Sequence, residues 1–117
     1  MKREIQFYET TAGNRPVEKF IRSLSKPEKA KALAAFEHIE ENEKVPATLF
    51  CKMVNTKDLW EVRVKAGGNI FRFLSFFHGG KLIVVAHGFQ KKTQKTPQQE
   101  IATAEKRKRD YFSRKNH

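Results

Sequence analysis

Three alternating apolar runs, separated by two glycine pairs, constrain the fold of this chain more than any other feature. Leu59–Lys65 alternates apolar and polar residues, and Ile70–Phe77 and Leu82–Phe89 follow it. Ala66-Gly67-Gly68-Asn69 and His78-Gly79-Gly80-Lys81 stand between the runs. A period of two marks a strand with two different faces, and a Gly pair between such runs fits a two-residue hairpin turn. The sequence therefore predicts an up-and-down meander. Glu4–Tyr8, with Ile5 and Phe7 alternating, predicts a further strand, which Gly13-Asn14-Arg15-Pro16 ends. Pro16 suits the first turn of a helix running to about Leu24. Ser25-Lys26-Pro27-Glu28 has the spacing of a capping box and opens a second helix to about Glu41, with Ala30, Leu33, Phe36 or Glu37, and Ile39 near one face. Residues 45–57 show little period and read as loop. Thr96, Pro97 and Gln99 begin a last helix with Ile101, Ala104, Lys108 and Tyr111 along one stripe. The expected fold is α+β: a small antiparallel twisted sheet of about four strands, N-terminal helices packed on one face and a C-terminal helix. With 117 residues there is room for a single domain, 1–117.

Two-residue turns fix the register. A turn at Gly67-Gly68 sets Arg63 directly opposite Arg72, and a turn at Gly79-Gly80 sets Arg72 opposite His87. Alternation then puts all three on one side of the sheet, together with Glu61, Lys65, Ile70, Leu74, Phe76, Val85 and Phe89. The other side carries Trp60, Val62, Val64, Phe71, Phe73, Phe77, Leu82, Val84 and Ala86, an almost purely apolar set and the expected core beneath the N-terminal helices. Like charges directly across two strands destabilise a sheet. A row of Arg63, Arg72 and His87 asks for something negative between them, either a bound phosphate or a neutralising Glu61 or Glu100. Arginine suits phosphate because its fork of donors binds two oxygens at once.

The charge distribution points the same way. The chain has a formal charge of +11; residues 1–60 hold eleven basic and nine acidic side chains, residues 61–117 thirteen and four. So one-sided a field favours a polyanionic partner. Lys91, Lys92 and Lys95 form a basic loop just before the last helix, whose N-terminus attracts anions, and Lys106, Arg107, Lys108 and Arg109 extend the basic surface. Phe76 and Phe89 on the charged face suit either base stacking or the seating of the last helix or of a partner peptide. The longest apolar run falls far short of the roughly 20 residues needed to cross a bilayer, and the basic start has no apolar stretch behind it, so neither a membrane span nor a secretory leader is expected. Cys51 is the only cysteine, which fits a reducing, cytoplasmic setting, and four scattered His show no zinc-ligand spacing; no metal or other cofactor is expected.

Leu59-Trp60-Glu61-Val62-Arg63, Phe71-Arg72, His87 through Pro97, Glu100-Ile101, and then Arg107, Asp110 and Tyr111 together resemble the phage-derived, HigB-like branch of the RelE toxin superfamily. Gly13 through Val17 fits as well, so the likeness covers nearly the whole chain. The resemblance implies a compact α+β endoribonuclease without metal, the toxin of a type II toxin–antitoxin pair, which cuts mRNA in the ribosomal A site by attack of the ribose 2′-OH on the adjacent phosphate. It implies Arg72 as the phosphate-stabilising arginine, Arg63 at a strand position that is basic in related toxins, and Lys91 and Lys92 at the basic position after the last core strand. Many relatives place a catalytic Tyr or His near the C-terminal end, where this chain reads Lys91 to Pro97. Tyr111 lies on the packing stripe, so proton transfer falls to His87 and a lysine, with Glu61 a weaker choice of base. The expected catalytic set is Arg63, Arg72, His87, Lys91 and Lys92, and the expected RNA contacts are Lys65, Lys95, Glu61, Phe89 and Arg107. The implied partners are a helix-turn-helix antitoxin, mRNA and the ribosome, and operator DNA through the antitoxin complex, with no membrane. A non-catalytic nucleic-acid-binding module on the same scaffold is the alternative.

Overall fold

The computed structural model describes residues 2–115. Its elements run β1 (Glu4–Phe7), α1 (Pro16–Arg22), α2 (Lys26–Glu41), β2 (Phe50–Lys52), β3 (Trp60–Ala66), β4 (Asn69–His78), β5 (Leu82–Gln90) and α3 (Gln98–Lys115). The fold is α+β, and the sheet has five strands in the order β1-β5-β4-β3-β2. The expected four antiparallel strands are thus corrected in two ways. β1 pairs parallel with β5, Ile5 beside Ile83, because the chain crosses from one edge of the sheet to the other through α1 and α2. The fifth strand, β2, lies in the segment expected to be loop. Three residues are too few to show a period, and β2 exists through its antiparallel pairing with β3.

Local signals place the helices as expected. Pro16 opens α1. Ser25 accepts from the Glu28 N–H while the Glu28 carboxylate accepts from the Ser25 N–H, the reciprocal capping box at the start of α2. The buried face of α2 is Ala32, Phe36 and Ile39, not the expected Ala30 and Leu33; Leu33 is 53% exposed.

The meander is present, and its first register is the expected one: Arg63 faces Arg72 and Ala66 faces Asn69 across the Gly67-Gly68 turn. The second is not. His78 pairs with Leu82, so three residues, Gly79-Gly80-Lys81, form the turn, and Ile83 and Val85 face the side expected for Val84 and Ala86. A bulge then intervenes. Ser75 pairs with Val85 but Leu74 pairs with His87, leaving Ala86 as the extra residue. Each irregularity shifts the pairing by one residue and the two shifts add, so Arg72 faces Phe89 rather than His87. An even total shift keeps His87 and Phe89 on the side of Arg72.

The consequence is two cores instead of one. Against α1 and α2 pack Val62, Val64, Phe71, Phe73, Ile83 and Val85. Against α3 pack Leu59, Leu74, Phe76, Val84, Ala86 and Phe89, with Tyr8 closing the end. β4 is buried on both faces from Phe71 to Phe76, and full burial of each large apolar side chain contributes about 1.5–3 kcal/mol. Among the described residues no helix is long and apolar enough to cross a membrane.

Gly88 lies where the first core is tightest. A Cβ there would sit 2.8 Å from Phe73 Cδ1 and 3.0 Å from Phe20 Cδ2. Phe73 has no room to retreat, since its ring meets Phe36 edge-on at 5.1 Å and Phe20 at 6.0 Å. Gly88→Ala should therefore destabilise by about 1–3 kcal/mol, seen as a lower urea midpoint at unchanged slope. Gly68→Ala, where an added Cβ meets nothing within 4 Å, should stay within about 0.5 kcal/mol of the parent protein.

Candidate functional site

The opposed arginines of β3 and β4 require a counter-charge, and the sheet supplies one two residues away. Glu61 precedes Arg63 on the same face of β3 and reaches both guanidinium groups. Arg63 Nη2 lies 2.9 Å from Glu61 Oε1 and Arg72 Nη1 lies 3.3 Å from Glu61 Oε2. The side chains of Glu61 and Arg72 are only 5% and 6% exposed, and that of Arg63 is 32% exposed. Charges this deeply buried persist only when paired and hydrogen-bonded. Arg72 Nη1 also donates to Thr96 Oγ1. The Nε–H of Arg63 and that of Arg72 are both buried with no partner among the described residues, so the arginines retain unused donors.

Arg72 forms part of the floor of a cleft of about 420 Å³, together with Gly88 and Phe89. The loop of residues 91–97 and Glu100, in the first turn of α3, complete its lining. The loop continues the sheet ladder at its start, where the Lys91 N–H donates to Ile70 O at 2.7 Å, and is pinned at its end by the Arg72–Thr96 bond. Loss of hydration at this edge, and then the positive charges of Arg72 and Arg63, hold the Lys91 ammonium below the usual lysine range; Glu61 opposes this and Lys65 adds to it.

The expected site residues divide into two groups. Glu61, Arg63, Arg72 and Lys91 come together, with Lys65 exposed beside Arg63 and with Lys92 and Lys95 exposed on the cleft rim. His87 and Arg107 belong to a hydrogen-bonded chain behind the cleft. Arg107 Nη1 donates to Ala86 O at 2.9 Å and lies 3.3 Å from His87 Nδ1, while His87 Nε2 lies 3.0 Å from Glu100 Oε1. The Arg107 guanidinium also sits over the Tyr8 ring, 5.9 Å from its centre, and burial lowers its pKa. It is thus held toward the protein. Phe89 is 8% exposed and stacks on the His87 ring at 5.6 Å. Phe76 is fully buried against Tyr111 and Phe112 of α3. Of the roles open to these phenylalanines, the seating of α3 is the one the packing supports.

Two residues take roles other than the expected ones. Thr96, expected at the start of the last helix, bonds Arg72 while α3 begins at Gln98. Glu100, expected as a possible neutraliser of the arginine row, pairs with His87. A signal for Glu100 exists: 100, 104, 107 and 111 share one helical face, so a helix that buries Ala104 and Tyr111 also turns Glu100 and Arg107 toward β5. Among the described residues no cluster of His, Cys, Asp and Glu could hold a metal ion.

No curated protein matches the chain. The family model described as phage-derived protein Gp49-like (DUF891) matches residues 19–109, a span that runs from α1 through most of α3 and includes the arginine pair, its carboxylate, the basic loop and the Arg107–His87–Glu100 chain. On that match the chain belongs to the phage-derived Gp49-like family, a toxin-like family of the RelE/HigB type.

Proposed function

We propose that this protein is the toxin of a type II toxin–antitoxin pair, of the HigB branch, and cuts mRNA at the ribosomal A site. The observation that carries this reading is Arg72, nine-tenths buried and opposed across the strands by Arg63, in the lining of a lysine-rimmed cleft. The family membership supports the same class of protein, and its usual partner would be a small helix-turn-helix antitoxin through which the complex holds operator DNA.

In the proposed reaction the scissile phosphate lies against Arg63 and Arg72. The ribose O2′ loses its proton and its lone pair forms the new bond to phosphorus. The P–O5′ bond breaks, its electron pair goes to O5′, and that oxygen takes a proton from the Lys91 ammonium. The products are a 2′,3′-cyclic phosphate and a 5′-hydroxyl. The negative charge that builds on the non-bridging oxygens is stabilised by donors already held in place; one such donor is worth about 10²–10³-fold in rate. An ammonium with a lowered pKa gives up its proton more readily at neutral pH, and general acid help adds about 10²–10⁴-fold. Lys65, Lys92 and Lys95 neutralise flanking phosphates and make binding steeply salt-dependent.

The direct test incubates the protein with mRNA, naked or loaded on ribosomes with a defined A-site codon, in the presence of chelator, and maps cuts by primer extension. Codon-phased cuts on ribosomes are expected, with at least a 10²-fold loss in Arg72→Ala. Arg72→Lys, which keeps the charge and lacks the fork, should lose nearly as much while its urea midpoint stays near the parent's, which separates the loss from one of folding. Cuts on naked RNA would discard the ribosome, and RNA binding without cuts would leave a binding module. The pH dependence supplies a second test. A general acid must be protonated, so the rate should fall as pH rises through the Lys91 pKa, at a pH below that of an ordinary lysine. Arg63→Gln should move that alkaline limb upward, because it removes a neighbouring positive charge.

A further inference from the structure

We propose that Glu100 is the general base of this cleft and that His87 and Arg107 position it. The inference rests on the nuclease reading and supplies the proton acceptor which that reading leaves open.

Two carboxylates border the cleft region, and their surroundings differ. Glu61 has both oxygens tied to guanidinium groups, is almost wholly buried, and acts as the counter-charge that keeps Arg63 and Arg72 in place. Its removal would leave two buried cations opposed. Glu100 lines the cleft itself, is 22% exposed, and accepts a side-chain hydrogen bond at one oxygen, from His87. Of the two, Glu100 has the oxygen that is free to take a proton.

The chain behind it determines what His87 can do. A guanidinium only donates, so with Arg107 Nη1 at 3.3 Å the imidazole Nδ1 must accept, and its proton sits on Nε2, directed at Glu100 Oε1. Arg107 is itself fixed by Ala86 O, at the residue where β5 bulges. The Phe89 ring stacked at 25° to the imidazole fixes its plane. His87 is therefore not a free acid or base toward the cleft. It is a donor of fixed tautomer that orients one carboxylate oxygen and leaves the other for substrate.

In the proposed step the 2′-OH proton passes to Glu100 while O2′ bonds to phosphorus, and Lys91 protonates the departing O5′. Glu100 ends as the acid and Lys91 as the amine, and exchange with water restores both. The cleft that Glu100 lines also carries Arg72 from β4 and Lys91, Lys92 and Lys95 from the loop, with the Phe20 ring from α1; neutral His87 from β5 contacts Glu100 directly, and Arg107 of α3 reaches it only through His87.

The test is single-turnover cleavage of ribosome-loaded mRNA across pH by the full chain and by Glu100→Gln, whose amide oxygen can still accept from His87 so that the fold is preserved. Glu100→Gln should cut at least 10²-fold more slowly, lose the acid limb of the pH profile, and bind an mRNA with a 2′-deoxy residue at the cut site as tightly as the parent. A substrate with sulfur in place of O5′ separates the two proton-transfer roles, since a thiolate leaves without an acid. It should restore Lys91→Ala and leave Glu100→Gln slow. Arg107→Met should slow cleavage without weakening binding of the deoxy substrate, and Arg107→Lys should recover part of the rate. If Glu100→Gln cuts within threefold of the parent with its acid limb intact, or is restored by the sulfur substrate, the assignment of Glu100 is wrong and the nuclease reading stands. If the parent protein does not cut at all, both fall.

Discussion

A guanidinium group cannot leave water alone, and much of this molecule is arranged around one that has done so. Arg72 occupies the middle of the central strand, with Phe71 and Phe73 on either side directed into one core and Leu74 starting the other. Its charge is tolerable there because β3 delivers Glu61 within reach and the basic loop delivers Thr96. A buried pair of this kind is a poor source of stability, since desolvation of both ions offsets most of their attraction. Its value lies in geometry. The fork of Arg72 has little freedom to rotate, and the positions of Arg63, Lys91 and the loop of residues 91–97 are defined relative to it.

How much of this is legible in the sequence depends on whether the deciding interaction is local. The Ser25–Glu28 capping box and the Gly67-Gly68 turn involve residues close in sequence, and both are found where their spacing puts them. The opposed arginines follow from that turn. The Gly79-Gly80 turn looks the same on paper but takes Lys81 as a third residue, a choice made by the fit of Ile83 and Val85 beneath the helices rather than by the glycines themselves. β2 and the parallel pairing of β1 depend on partners far along the chain and leave no local trace. Leu82–Phe89 cannot reveal a bulge at Ala86, because its five consecutive apolar residues, Leu82 to Ala86, read equally well in either register.

The same contrast holds at the site. Charge type and strand face single out Arg63, Arg72 and His87, since a basic row on central strands is a conflict visible without coordinates, whereas Lys91 is one of three lysines in the loop after β5. The roles of Glu61 and Glu100 are not visible in that way. Each is an acidic side chain near a basic group, and only their depth and partners separate the one that holds two arginines from the one that borders the cleft. His87 shows the limit most plainly. Its strand position suggests chemistry, whereas the contacts of both ring nitrogens suggest support.

The parallel pairing of β1 with β5 bears on the order in which the protein can form during its synthesis. The meander is built from neighbouring segments and can close early, whereas Glu4 must wait for Leu82 before it has a strand to join. Closing so long a loop is slow compared with forming a hairpin. The cleft is completed later still, because Glu100 lies in the last helix. A nascent chain therefore presents its basic strands before the cleft they border is finished.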